Sequence, residues 1–160
     1  MIKKSLFSKF FFEKCILFVL TILFFSNYLY ASSWNISNGY PINFSDNKIF
    51  YATVGYAQGG GANIYFQENV RCSAASMGGM SESIFFNGVL VQMGRACNGV
   101  NMYTYPITYA GINYVFSEFI YKKSVTLQLS KGRLLDTISA DNFNNTYQVF
   151  VNNSGTGGGL

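Results

Sequence analysis

Histidine is absent from this chain of 160 residues. Hydrolases that activate a serine or cysteine through histidine are therefore excluded, and the side chain that most often moves protons near neutral pH is missing. A zinc site built on cysteines would also lack its usual histidine ligands. The sequence accordingly predicts no metal site and no cofactor.

Charged residues are scarce, at 11% of the chain, and the acidic ones are scattered. A glycosidase needs two carboxylates held at a set distance from each other. Glu82 and Glu118 are the pair that the fold could bring together, so a carboxylate-dependent hydrolase is kept as a third hypothesis. No catalytic residue is assigned, and the protein is not expected to be an enzyme.

Basic residues form no cluster larger than Lys122-Lys123. Proteins that bind nucleic acid carry a basic patch or stripe, because they neutralise phosphates. The sequence therefore disfavours a nucleic-acid partner.

The first 31 residues have the pattern of a secretory signal peptide. Four lysines precede an apolar run at 15–25, and the segment ends in Leu29-Tyr30-Ala31. The run is shorter than the roughly 20 residues that a membrane span needs. We predict cleavage after Ala31 and a secreted or periplasmic protein that meets a membrane only through this segment; an uncleaved anchor is the alternative. Without residues 1–31 the chain keeps 7 basic and 6 acidic residues, a net charge of +1.

Two cysteines, Cys72 and Cys97, remain after that segment. In an oxidising compartment an even pair indicates a disulfide, although two free thiols would have the same sequence. A bond that closes a loop of this length would stabilise the fold by about 3 kcal/mol.

Asn87-Gly88 between two apolar runs predicts a hairpin with a two-residue type I′ turn. That turn places Phe86 opposite Val89 and Glu82 opposite Met93. Glu82 is then diagonal to Arg95, so the two could form a surface ion pair or belong to a binding site. The face expected to enter the core holds Ile84, Phe86, Val89, Val91 and Met93.

Alternating apolar residues predict further strands at 49–56, 63–72 and 125–129. The apolar and aromatic segment 112–121 is also expected to be a strand, and 134–138 is expected to return as the partner of 125–129. Pro106 makes 102–109 an edge strand or a loop. The hairpin at 125–138 has two possible registers: Val125 opposite Ile138 with a two-residue turn, or Leu127 opposite Leu135 with a three-residue turn. Flexible turns are expected at Gly59–Gly61 and Met77–Met80.

In the C-terminal region the spacing of apolar residues changes from that of a strand to that of a helix. Its apolar residues at helical spacing predict a short helix, with another strand as the alternative; they are Phe143, Tyr147, Phe150 and Val151. The domain division is a signal peptide (1–31), an irregular N-terminal segment (32–47), one β-rich domain (48–154) and a flexible glycine-rich tail (155–160). The fold class is mainly β, a small antiparallel sandwich or barrel with one disulfide.

Ten of the 12 tyrosines follow the signal segment, and several crowd one region. Tyrosine suits interfaces because it combines a large apolar ring with a polar tip, although it is also a favoured strand residue. The candidate binding surface comprises Glu82, Arg95, Tyr103, Tyr105, Tyr109, Tyr114 and Tyr121.

The segment Ala110-Gly111-Ile112-Asn113-Tyr114, followed by Lys122-Lys123 and Leu127, resembles motifs of periplasmic C-type lysozyme inhibitors. It departs from them at Ala110, where they have serine, and at Ser124, where they have glycine. The resemblance implies a small exported β-barrel with a disulfide and an inhibitor-like function.

We therefore expect an exported, non-catalytic binding module with a protein or glycan partner. The alternative is a structural subunit that associates with copies of itself through exposed strand edges.

Overall fold

A computed structural model describes residues 32–57, 60–73, 81–129 and 134–155 of the chain. The predicted signal segment 1–31 lies outside these residues, as do the turn at Met77–Met80, Gly59 and positions 156–160 of the tail.

The described residues form nine strands and two helices. The strands are β1 (Asn35–Ser37), β2 (Tyr40–Phe44), β3 (Phe50–Tyr56), β4 (Ala62–Arg71), β5 (Ser81–Phe86), β6 (Val89–Cys97), β7 (Asn101–Pro106), β8 (Ser124–Leu129) and β9 (Leu134–Ser139). The helices are α1 (Tyr109–Tyr121) and α2 (Phe143–Gly155). Within the described ranges, neither helix is long and apolar enough to cross a membrane.

All nine strands belong to one antiparallel sheet, in the order β1-β2-β3-β4-β7-β6-β5-β8-β9. The sheet curls until its two ends meet. The Asn43 side chain donates to the Ser139 carbonyl at 2.9 Å, and the Asp46 amide donates to the Thr137 carbonyl at 2.8 Å. The mainly-β antiparallel fold is therefore confirmed.

The core lies on the inner face of the curled sheet, and both helices pack against it. Trp34 is at the centre of this packing and is fully buried. Its ring meets Phe119 of α1 and Phe143 of α2 edge-on, with centroids 5.2 and 4.8 Å away. Its indole N–H donates to the Ser139 carbonyl at 2.9 Å, so the polar atom of this buried ring is satisfied.

The Asn87–Gly88 hairpin has the predicted register, with Phe86 opposite Val89 and Glu82 opposite Met93. Both turn residues have positive φ, 46° and 88°, as a type I′ turn requires. Four of the five predicted core residues of this hairpin are buried; Val89, beside the turn, is 47% exposed.

Cys72 and Cys97 form the predicted disulfide, with their Cα atoms 6.0 Å apart. Cys72 follows β4 and Cys97 ends β6, and these are the two strands that flank β7. The bond thus connects the two neighbours of a central strand.

The prediction that 32–47 is irregular is wrong, because this segment contains β1 and β2. Asn38 and Gly39 connect them with φ values of 51° and 83°, and Ser37 pairs with Tyr40. This is the same Asn-Gly hairpin signal as at Asn87–Gly88. The serines, asparagines and Pro41 of this segment suggested an irregular structure, although apolar residues alternate on both sides of the turn.

The predicted strand at 112–121 is also wrong, because these residues belong to helix α1. Buried residues recur at Gly111, Val115, Glu118 and Phe119, which is a helical period. Aromatic and β-branched residues suggested a strand, but packing on the inner face of the sheet outweighs such preferences. Thr108 caps the helix, its hydroxyl accepting from the Gly111 amide at 3.1 Å.

The prediction of an edge strand or loop at 102–109 is wrong as well, since β7 pairs with both β4 and β6. Pro106 is compatible with this place because it is the last residue of β7, and the pairing with β4 at this end stops at Thr104. The Asn63 side chain donates to the Pro106 carbonyl at 3.0 Å. This side-chain bond links β4 to β7 beyond the point where their backbone pairing stops.

The hairpin of β8 and β9 combines elements of its two predicted registers. Val125 pairs with Ile138, but a bulge between Leu127 and Gln128 shifts the pairing so that Gln128 faces Leu134. The turn itself falls outside the described residues. The predicted C-terminal helix is confirmed as α2.

Candidate binding site

A patch of aromatic side chains covers the outer face of the central strands. Inner residues of β3, β4 and β7 are Ala52, Phe66 and Thr104, all buried. Because side chains alternate along a strand, the intervening residues point outward. We call this outer patch the tyrosine face; it consists of Tyr51, Tyr65, Gln67, Tyr103 and Tyr105.

The rings of the tyrosine face contact one another across strands. The centroid of Tyr65 lies 5.9 Å from that of Tyr103 and 5.6 Å from that of Tyr105, and the last two are 6.0 Å apart. Phe44 of β2 extends the patch, with its centroid 5.8 Å from that of Tyr51. These separations lie within the favourable range for aromatic pairs.

Glycines beside the rings leave room for them to lie close to the sheet. A Cβ atom added to Gly55 would be 3.4 Å from the Tyr65 ring, and one added to Gly94 would be 3.2 Å from the Tyr105 ring and 2.7 Å from Ile107. Rings that lie over glycines on the outer face of a sheet shield its backbone. The rings therefore lie close against the sheet and form a continuous aromatic surface.

The phenols of Tyr51 and Tyr65 stay protonated well beyond neutral pH. Burial raises the pKa of Tyr65, and the neighbouring Tyr103 and Tyr105 raise it further. Burial also raises the pKa of Tyr51, against the opposite effect of its hydrogen bond with Gln67. The face therefore presents neutral hydroxyl and amide groups, and none of its five residues is charged.

The structure separates the tyrosines that were predicted to form one surface. Tyr103 and Tyr105 belong to the tyrosine face, whereas Tyr109 and Tyr121 stand at opposite ends of α1, each 81% exposed. Tyr51 and Tyr65 were missed because their strands lie far from β7 in sequence. Their outward orientation follows from strand alternation, but the pairing of β4 with β7 does not.

Tyr114 lies on α1 beside the tip of the β5–β6 hairpin. Its hydroxyl donates to the Phe86 carbonyl at 3.0 Å. Burial raises the pKa of Tyr114, and the negative charge of Glu118 and a hydrogen bond with that carboxylate add to the effect. This tyrosine therefore belongs to a separate polar group around Glu118.

The predicted approach of Glu82 to Arg95 is present, with 3.6 Å between Oε1 and Nε. The main partner of Arg95, however, is Glu68 of β4, whose two oxygens lie 3.0 and 3.2 Å from Nη2. The three side chains are only 29–31% exposed. Thr104, opposite Arg95 on β7, has a buried hydroxyl without a partner among the described residues.

These contacts give Glu82 and Glu118 different partners, since Glu118 Oε2 accepts from the Asn87 amide at 2.6 Å. In the described ranges, no cluster of three or more histidine, cysteine or acidic residues could hold a metal ion.

Comparison with known proteins adds nothing to this site: no family model, no curated protein and no solved structure matches the chain. The resemblance to lysozyme inhibitors is thus unsupported by a match, and the segment that carries it, Ala110–Tyr114, is helical.

Proposed function

We propose that this protein is an exported, non-catalytic binding module that holds an uncharged glycan on its tyrosine face. The observation that carries the proposal is the contact of Tyr65 with both Tyr103 and Tyr105 on one outer surface. Aromatic rings at binding surfaces supply contact area at a low cost in conformational entropy.

The chemistry of the face favours a neutral sugar chain over other ligands. Sugar rings present C–H groups that pack on aromatic rings, and their hydroxyls can bond to phenols and to the Gln67 amide. A nucleic acid would also stack on tyrosine, but it needs lysine or arginine beside the rings. The tyrosine face supplies neither.

The disulfide supports the proposal of export. Cys72–Cys97 is the kind of bond that forms and persists in secreted and periplasmic proteins. The apolar segment at 15–25, preceded by four lysines, has the pattern of the signal peptide that such export requires.

The test is binding of the purified, disulfide-bonded protein to an array of neutral and acidic glycans. We expect saturable binding to neutral glycans, and a loss of affinity of about tenfold or more for a Tyr103→Ala, Tyr105→Ala double variant. Tyr103→Phe, Tyr105→Phe keeps the rings and should retain most of the affinity.

Tyr121→Ala is the matched control, since it removes a tyrosine that is 81% exposed at the end of α1, apart from the tyrosine face. Its affinity should equal that of the wild type. Absence of saturable glycan binding would refute the proposal, as would equal binding by the Tyr103→Ala, Tyr105→Ala variant. Dimers that the same double variant abolishes would instead assign the tyrosine face to a second copy of the chain.

A further inference from the structure

An open cleft of about 460 Å³ lies between the end of α1 and the tip of the β5–β6 hairpin. This volume falls within the range of about 300–1,000 Å³ that is usual for small-molecule sites. The residues that line it are Asn87, Tyr114, Glu118, Lys122, Lys123 and Ser124.

Glu118 is the unusual member of the cleft. Its residue is only 8% exposed, yet none of the described lysines or arginines lies within 4.0 Å of its carboxylate. A buried carboxylate without a cationic partner is costly. Its carboxylate accepts from the Asn87 amide at 2.6 Å and interacts with the Tyr114 hydroxyl, and neither of these neutral groups supplies a counter-ion.

Asn87 fixes the position of that carboxylate. The same amide nitrogen also donates to the Ser124 carbonyl at 3.3 Å, while its oxygen accepts from the Thr126 amide at 2.9 Å. The hairpin tip is thereby bonded both to α1 and to β8. Glu118 is held by a rigid neighbour, as binding sites require.

The rim of the cleft carries the opposite charge. Lys122 and Lys123 follow α1 directly, and both are exposed. Their backbones are fixed, because the Lys122 amide donates to the Glu118 carbonyl at 3.0 Å and the Lys123 carbonyl accepts from Ala140 at 2.9 Å. The cleft thus has a negative charge inside and two positive charges at its edge.

We infer that this cleft binds a small zwitterion of the amino-acid or short-peptide type, with its ammonium group at Glu118 and its carboxylate at Lys122 and Lys123. The ammonium would supply the counter-ion that Glu118 lacks, and the phenol of Tyr114 lies beside it. This site is separate from the tyrosine face and does not depend on the function proposed for that face.

The test combines protein variants with matched probes, read from amide chemical shifts of the ¹⁵N-labelled protein. The probe is the dipeptide Ala-Ala; its N-acetyl form lacks the ammonium, and its C-terminal amide lacks the carboxylate. We expect saturable shifts at cleft residues for Ala-Ala, and affinities for both modified dipeptides that are lower by about tenfold.

The variants should change the affinities for the three dipeptides in different ways. Glu118→Gln keeps an oxygen for the Asn87 amide but loses the charge, so it should weaken Ala-Ala and the amide form and leave the acetylated form unchanged. Lys122→Ala with Lys123→Ala should weaken Ala-Ala and the acetylated form and leave the amide form unchanged. Asp141→Asn, which changes an exposed carboxylate outside the cleft, should alter none of them.

Two results would overturn the inference. One is wild-type protein that gives no saturable shifts with Ala-Ala. The other is a Glu118→Gln variant that affects all three dipeptides equally, because Glu118 would then not recognise the ammonium group that the acetylated form lacks.

Discussion

Single asparagines determine several of the local conformations of this chain. Asn38 and Asn87 adopt the positive φ that their turns require, which asparagine tolerates better than most residues. Asn87 also bonds to Glu118 and Thr126 through its side chain, and Asn142, another residue with positive φ, donates to the Trp34 carbonyl at 2.9 Å. Asn38 thus fixes a turn, Asn87 fixes a turn and bonds to distant residues, and Asn142 bonds to a residue that is distant in sequence.

The raised pKa of Asp46 predicts that the stability of the fold depends on pH. Burial raises its pKa, and repulsion from Asp136 raises it further. The folded state therefore binds this proton more tightly than the unfolded state, so ionisation of Asp46 costs stability as the pH rises. Asp46→Asn should increase the free energy of unfolding at pH 7, by less than about 1 kcal/mol because the side chain is exposed.

Urea unfolding at pH 7 and at pH 3 provides the measurement. The gain should shrink at pH 3, below the ordinary aspartate pKa of 3.8. Asp141→Asn removes another exposed carboxylate and should have the smaller effect at pH 7. A variant Asp46→Asn that is less stable than the wild type at pH 7 would contradict the electrostatic account.

At the scale of elements, α1 depends on contacts at its beginning. Thr108 has extended backbone angles, φ −102° and ψ 146°, and its hydroxyl accepts from the Gly111 amide. Gly111 allows the helix to approach the sheet, because a Cβ there would lie 2.9 Å from Val91. The cap and the glycine together place Glu118 and Tyr114 beside the hairpin tip.

Thr108→Ala should therefore lower the free energy of unfolding by about 1 kcal/mol, since the Gly111 amide would lose its acceptor. Thr108→Ser keeps a hydroxyl at the same position and is the control; it should retain most of the stability. Thermal and urea unfolding followed by far-UV circular dichroism measure the difference. Equal stability of the alanine and serine variants would show that the cap does not stabilise α1.

The disulfide acts on the whole molecule. It joins the two strands that flank β7, 25 residues apart in sequence, so it restricts the unfolded chain more than it adds contacts to the folded one. Cys72→Ala with Cys97→Ala should lower the free energy of unfolding by about 3 kcal/mol.

Reduction of the wild-type protein offers an independent control. The reduced protein and the double alanine variant should unfold at similar urea concentrations, both below that of the oxidised protein. An unchanged unfolding midpoint after complete reduction, verified by thiol titration, would show that the bond does not contribute to stability.

Local signals in the sequence determined a large part of this fold. The Asn87-Gly88 turn set the register of β5 and β6, because a two-residue turn leaves the flanking strands one alignment. The two cysteines after residue 31 identified the disulfide, and the apolar spacing after Phe143 identified α2. The turn and the helix depend on residues that are close in sequence. The disulfide follows because each of the two cysteines has only the other as a partner.

Only the tertiary structure decided the rest, because it depends on which distant segments are neighbours. The aromatic segment that forms α1 would suit a strand equally well, and its packing against the inner face of the sheet selects the helix. The pairing of β4 with β7 brings Tyr65 to Tyr103 and Tyr105. The meeting of α1 with the hairpin tip places Glu118 at Asn87, and no local pattern encodes that contact.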